Sequence, residues 1–122
     1  MQIKAILLTI SLSLCCFSSF AKCQSESCYQ EKWCNKVGGQ AEVILSDKTR
    51  CDCLTEEYAI EIDYARKWYQ SIGQTLHYGL MTGKRPGIVL IIEEASDHKY
   101  LNRLQGVIKE YGLNIKIWKI LP

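Results

Sequence analysis

A chain of 122 residues with 15 Lys and Arg against 13 Asp and Glu holds one compact domain and excludes a multidomain enzyme. The near-balance of charge excludes a protein that grips nucleic acid by basic excess alone. Seven cysteines in so short a chain point to disulfides and an oxidising compartment.

Lys4 is the only charge in residues 1–21, the apolar run Ile6 to Leu14 follows it, and Ser19-Phe20-Ala21 ends the segment with small residues at the two positions a signal peptidase reads. Residues 1–21 are therefore expected to be a Sec-type signal peptide, cleaved after Ala21, with a single domain over 22–122. The run is short for a stable membrane span of ~20 residues, and Leu14 is too bulky to precede a lipidated cysteine. The mature protein is expected to be exported, periplasmic or extracellular, with no stable membrane anchor. It keeps 14 basic against 13 acidic residues and five cysteines, Cys23, Cys28, Cys34, Cys51 and Cys53. Paired C-x-x-C knuckles and histidines at ligand spacing are absent, which argues against zinc.

Residues 27–37 read as a helix capped by Ser27, with Tyr29, Trp33 and Val37 on one side and Gly38-Gly39 as its stop. Gln40 to Leu45 alternates as a strand with Ala41, Val43 and Leu45 on one face. Ser46-Asp47-Lys48 turns the chain into a second strand, Arg50 to Leu54. Cys51 and Cys53 should share a face of it, with Asp52 on the other. Cys34 is expected to bond Cys53 or Cys51, Cys23 and Cys28 to tie down the N-terminal arm, and one thiol to remain. Tyr58 to Tyr64 alternates strictly: Tyr58, Ile60, Ile62 and Tyr64 face one way, Ala59, Glu61 and Asp63 the other. A long helix spans about 65–82, with Trp68, Ile72, Leu76 and Leu80 as its core stripe. Gly87 to Ile92 is apolar on both faces and should be a central, covered strand. Asp97 is expected to cap a last helix that buries Leu101, Leu104, Ile108 and Tyr111. Asn114 to Ile120 closes the chain as an edge strand, on which Trp118 is expected to be exposed. The order α-β-β-β-α-β-α-β describes an α/β fold, a three-layer sandwich on a mixed sheet.

Two stretches carry chemistry. Glu61 and Asp63 lie two apart on a strand and share a face, Asp52 lies on the strand before, and Glu42 is expected to point the same way. Close carboxylates repel unless a cation joins them, and Mg²⁺ takes hard oxygen ligands of this kind. Lys67, Ser71, Gln74 and Tyr78 follow at spacings of four, three and four, one stripe of a helix. Alternating charge on a hairpin is otherwise the wet face of a sheet, and the polar stripe is otherwise a solvated one. His77 is expected to be an ordinary surface histidine. Arg50 has two expected roles, a phosphate contact or a pair with Glu42.

The order of elements and these residues resemble the PD-(D/E)XK, restriction-endonuclease-like nuclease superfamily, over about Tyr29 to Ile92. The resemblance implies metal binding by Asp52 on the second strand and Glu61 on the third. Gln74-Thr75-Leu76-His77-Tyr78 is similar to the Q-x-x-x-Y motif of RecB-like members, and Glu31 stands where resolvase-like members add a helix acid. Asp63 occupies the place of the motif lysine, a role Lys67 could take from the next helix. The implied function is an exported Mg²⁺-dependent nuclease acting on DNA or RNA. Asp52, Glu61, Lys67, Gln74 and Tyr78 would be its catalytic residues, with metal held by Asp52, Glu61 and Asp63 and support from Glu31 and Glu42. The alternative is a catalytically inactive nuclease-fold protein in the periplasm that binds nucleic acid or a protein partner.

Overall fold

The computed structural model describes residues 21–122, so the expected signal peptide, Ala21 apart, lies outside the described residues. Helix α1 spans Glu26–Lys36, and strands β1, β2 and β3 span Gln40–Ile44, Arg50–Leu54 and Tyr58–Tyr64. A 3-10 turn at Ala65–Lys67 leads into α2, Trp68–Thr82. Strand β4 spans Arg85–Ile91, a second 3-10 turn spans Ala95–Asp97, α3 spans His98–Tyr111 and β5 spans Lys116–Ile120. The result is an α/β fold with three helices on a five-stranded mixed sheet, ordered β1-β2-β3-β4-β5. The first three strands pair antiparallel, as their short turns require, and β3, β4 and β5 pair parallel. Parallel neighbours need long crossovers, and α2 and α3 are those crossovers.

Alternation along β3 decides the layers. Ile60 and Ile62 pack with Val89, Ile91 and Ile120 beneath Tyr29, Trp33 and Cys34 of α1. On the other face Ile88, Leu90 and Ile92 meet Leu101 and Leu104 of α3, with Trp68 and Ile72 of α2 against them. Disulfide Cys34–Cys53 ties α1 to β2, Cys23–Cys28 closes the turn that enters α1, and Cys51 stays free and buried. Two disulfides suit an extracellular, oxidising setting. Among the described residues no helix is long and apolar enough to cross a membrane.

Several expectations give way to tertiary packing. The cap of α1 is Ser25, whose Oγ accepts from the Cys28 amide at 3.3 Å, while Ser27 bonds to Ser25. Asp97 stands at the N-cap position of α3, but its side chain makes no cap hydrogen bond there; it closes a capping box with Glu94, whose amide donates to its carboxylate. Cys51 and Cys53 do not share a face. Cys53 lies under α1, whereas Cys51 packs with Leu45, Ala59 and Tyr78. The chain rotates between them opposite Glu42, which holds a left-handed φ of 57°, a conformation uncommon for a residue with a side chain. Helix α2 is turned so that Ser71, Thr75 and Tyr78 are buried against the sheet, leaving Leu76 39% and Leu80 80% exposed. The Thr75 hydroxyl lies within hydrogen-bonding distance of the Ala59 and Gly87 carbonyls. A polar helix seam thus meets the polar face of β3, and the leucines are displaced outward. Tyr111 is 74% exposed, and Trp118 is half-buried between Trp33 and Tyr58.

Candidate active site

The site begins where the sheet parts. Strands β2 and β3 are paired at Cys53↔Ile60 and Leu54↔Ala59 and no further. Beyond that point Asp52 bridges the gap with its side chain: its Oδ2 accepts from the Ile62 amide at 2.8 Å. The carboxylate takes the place of a ladder carbonyl and is thereby aimed at β3. Gln30 of α1 braces the same turn of β2 by donating to the Asp52 carbonyl at 3.1 Å and to Glu42 at 2.9 Å.

Glu61 and Asp63 point from β3 under α2 and are each only 3% exposed. The wet-face reading therefore fails: these carboxylates are inside the protein. Burial, with Asp52 and Asp63 as like-charged neighbours, pushes Glu61 up to about 11. Burial also raises Asp52, to about 6, with the Ile62 amide opposing the rise. Near neutral pH the pair keeps a proton. Oε2 of Glu61 is buried with no hydrogen-bond partner, a costly state for a polar atom away from water.

Asp63 is differently engaged. Its Oδ2 accepts from the Ser71 hydroxyl at 3.0 Å, and its Oδ1 lies 3.5 Å from the Lys67 ammonium. Lys67 also meets Glu26 of α1 at 3.1 Å. Glu26, above all, raises the Lys67 pKa. At Glu26 burial outweighs Lys67 and raises the carboxyl pKa. The lysine therefore stands at the mouth of the site, 40% exposed, between two carboxylates. Tyr78 is buried against Glu61, and both burial and that carboxylate raise its phenol pKa; Gln74 bonds the phenol and opposes the rise.

Asp52, Glu61, Asp63, Lys67 and Tyr78 are thus brought together, with Gln74 at the rim. The expected three-carboxylate metal set is not assembled: among the described residues no three His, Cys, Asp or Glu side chains are grouped to hold a metal ion. Asp63 turns to Lys67 and Ser71, because a cation and a hydroxyl already satisfy it. Glu42 and Glu31 are not part of the site. Glu42 faces α1, bound to Gln30 and Arg50, and Glu31 is exposed, in a groove between α1 and β1. The acid from the first helix is Glu26. Glu26 precedes the helix expected from the sequence at 27–37, yet Glu26 and Gln30 stand four apart beside Tyr29 and Trp33, on the face that meets the sheet. His77 is a hairpin clasp, with Nε2 2.7 Å from Asp47.

No family model matches the chain. Over 96 residues it is 31% identical to the KilA-N domain-containing protein L33 of Acanthamoeba polyphaga mimivirus. That alignment takes in 78% of this chain and 37% of the viral protein. No solved structure matches.

Proposed function

We propose that the domain is an exported, metal-dependent nuclease of restriction-endonuclease-like fold that hydrolyses phosphodiester bonds of DNA or RNA. The observation that carries this reading is the Asp52–Glu61 pair: a half-buried and a buried carboxyl in the split between β2 and β3, with one Glu61 oxygen left without a partner. A divalent cation answers that arrangement as a shared proton does, by removing the repulsion. Mg²⁺ is commonly held by one or two carboxylates, with water and substrate phosphate completing its shell. Asp52 and Glu61 fit such an ion; Asp63 serves instead to anchor Lys67. When bound, Mg²⁺ supplies positive charge to the phosphate and makes a coordinated water easier to deprotonate.

The remaining groups have separable tasks. Lys67 presents an ammonium where negative charge would develop on the phosphate. Asp63 and Glu26 fix its position. Tyr78, held by Gln74, backs Glu61 and limits where its carboxylate can swing. Export, expected from the leader, agrees with the two disulfides. A non-cleaving binding protein on the same scaffold is the second reading. It is favoured by one observation: Lys67 is already held by two carboxylates.

The test is Mg²⁺-dependent cleavage of DNA and RNA by the oxidised mature protein. Asp52→Asn and Glu61→Gln should abolish it, and Lys67→Ala should reduce it at least about a hundredfold, the scale of one lost electrostatic stabiliser. Nucleic-acid binding that needs no Mg²⁺, without cleavage, would establish the second reading instead.

A further inference from the structure

On the face of the sheet opposite Glu61 and Asp63, a cleft of about 700 Å³ opens between the end of α1, the β2–β3 turn and the edge strand β5. Trp33, Tyr58 and Trp118, rings from three distant parts of the chain, line it. Trp118 joins them, its centroid 5.4 Å from Trp33 and 4.9 Å from Tyr58, the latter edge to face. Gly87 makes room for this: a Cβ there would stand 2.6 Å from the Trp118 ring.

Glu56 and Glu57 flank the same cleft and are exposed. Among the described residues neither side chain is in an ion pair; Lys84 reaches only the Glu56 carbonyl. The rings already draw cations of the chain, with the Arg85 guanidinium 5.6 Å over Tyr58 and the Lys116 ammonium 6.0 Å over Trp118. Both residues are exposed, and Arg85 is held there, among the described residues, by a single hydrogen bond, donated to the Tyr58 hydroxyl at 3.3 Å. Ring faces attract cations, most strongly where water is excluded, and two carboxylates at the mouth add attraction of the same sign while repelling phosphate.

We propose that this cleft binds an organic cation, an alkylammonium or guanidinium group, carried by a small amine or by a lysine or arginine side chain of a polypeptide. The carboxylates set the charge of the ligand, and the rings require a weakly hydrated cation with an apolar surround. The site is separate from the carboxylate pair and stands whether or not the domain cleaves nucleic acid.

Tryptophan fluorescence of the oxidised mature protein tests it. Choline should quench saturably, and its neutral isostere neohexanol should bind about tenfold more weakly, within the range of a desolvated cation–π contact. The exposed double variant Glu56→Gln, Glu57→Gln should weaken choline about tenfold at low salt and leave the melting temperature unchanged. Trp118→Ala should abolish quenching; if it fails to fold, the charge variant decides. Tighter binding of the tripeptides Gly-Lys-Gly or Gly-Arg-Gly than of choline would assign a polypeptide side chain, and the reverse a small amine. Absence of saturable quenching by every cation, equal binding of neohexanol, or an unchanged affinity in the charge variant would overturn the proposal.

Discussion

Glu61→Gln should make the metal-free domain more stable near pH 8, although it removes a residue at the centre of the site. Glu61 has an ordinary value of 4.5 and is raised to about 11 in the fold. A carboxyl raised on folding contributes stability that is fully present below about pH 4.5 and is lost as pH rises toward about 11. Near pH 8, folding must draw a proton from a solution in which the unfolded side chain is ionised. The gap from 4.5 to about pH 8 sets a ceiling of about 5 kcal/mol. Relaxation lowers this, whereas the partnerless Oε2 alone accounts for about 1–3 kcal/mol. Glutamine keeps the shape, carries no charge and donates to Asp52. A gain of about 2 kcal/mol is expected, or about 10 °C in Tm for a domain of about 100 residues. The assay is thermal and urea unfolding of parent and variant, without divalent ions, from about pH 5 to about pH 9. The parent should lose stability across that interval and the variant much less. Parallel profiles, with the variant at or below the parent near pH 8, would refute the buried-pair argument.

Other outcomes follow from the same geometry. Mg²⁺ at about ten times its Kd should stabilise the parent by about 1.4 kcal/mol near pH 8, seen as a rise in Tm, and should do nothing for Glu61→Gln. Replacing Cys34 and Cys53 by serine should cost about 3 kcal/mol, since the bond closes a loop of sequence separation 19. Replacing Cys23 and Cys28, at separation 5, should cost less; urea unfolding of the two variants compares them. Burial pushes the Cys51 thiol up to about 11, so near pH 8 it should react with a thiol reagent only after unfolding, timed by absorbance in native and denaturing buffer.

The α/β class, the mixed sheet and the three helices were legible because they rest on local signals. Strict alternation marked β3, the two-sided apolar run marked β4, and glycines in left-handed conformation at Gly38 and Gly83 end α1 and α2. The same alternation put Glu61 and Asp63 on one face, and helical spacing put Lys67 and Tyr78 on the stripe beside them. Periodicity does not determine which stripe turns inward. In α2 the apolar stripe kept Trp68 and Ile72 against the core but lost Leu76 and Leu80 to the surface, because Ser71, Thr75 and Tyr78 meet the buried carboxylates and carbonyls of β3 and β4.

What the sequence determined by itself was therefore the kind and order of groups along each element. Only the tertiary structure decided which groups meet. The parting of β2 from β3 sent Asp52 to the Ile62 amide and Cys51 away from Cys53, since a side chain replaced a ladder carbonyl. The seating of α1 brought Glu26, not Glu31, to Lys67, and Lys67 with Ser71 engaged both oxygens of Asp63 beside the Asp52–Glu61 pair. Such partnerships depend on distances between residues far apart in the chain, and no local pattern records them.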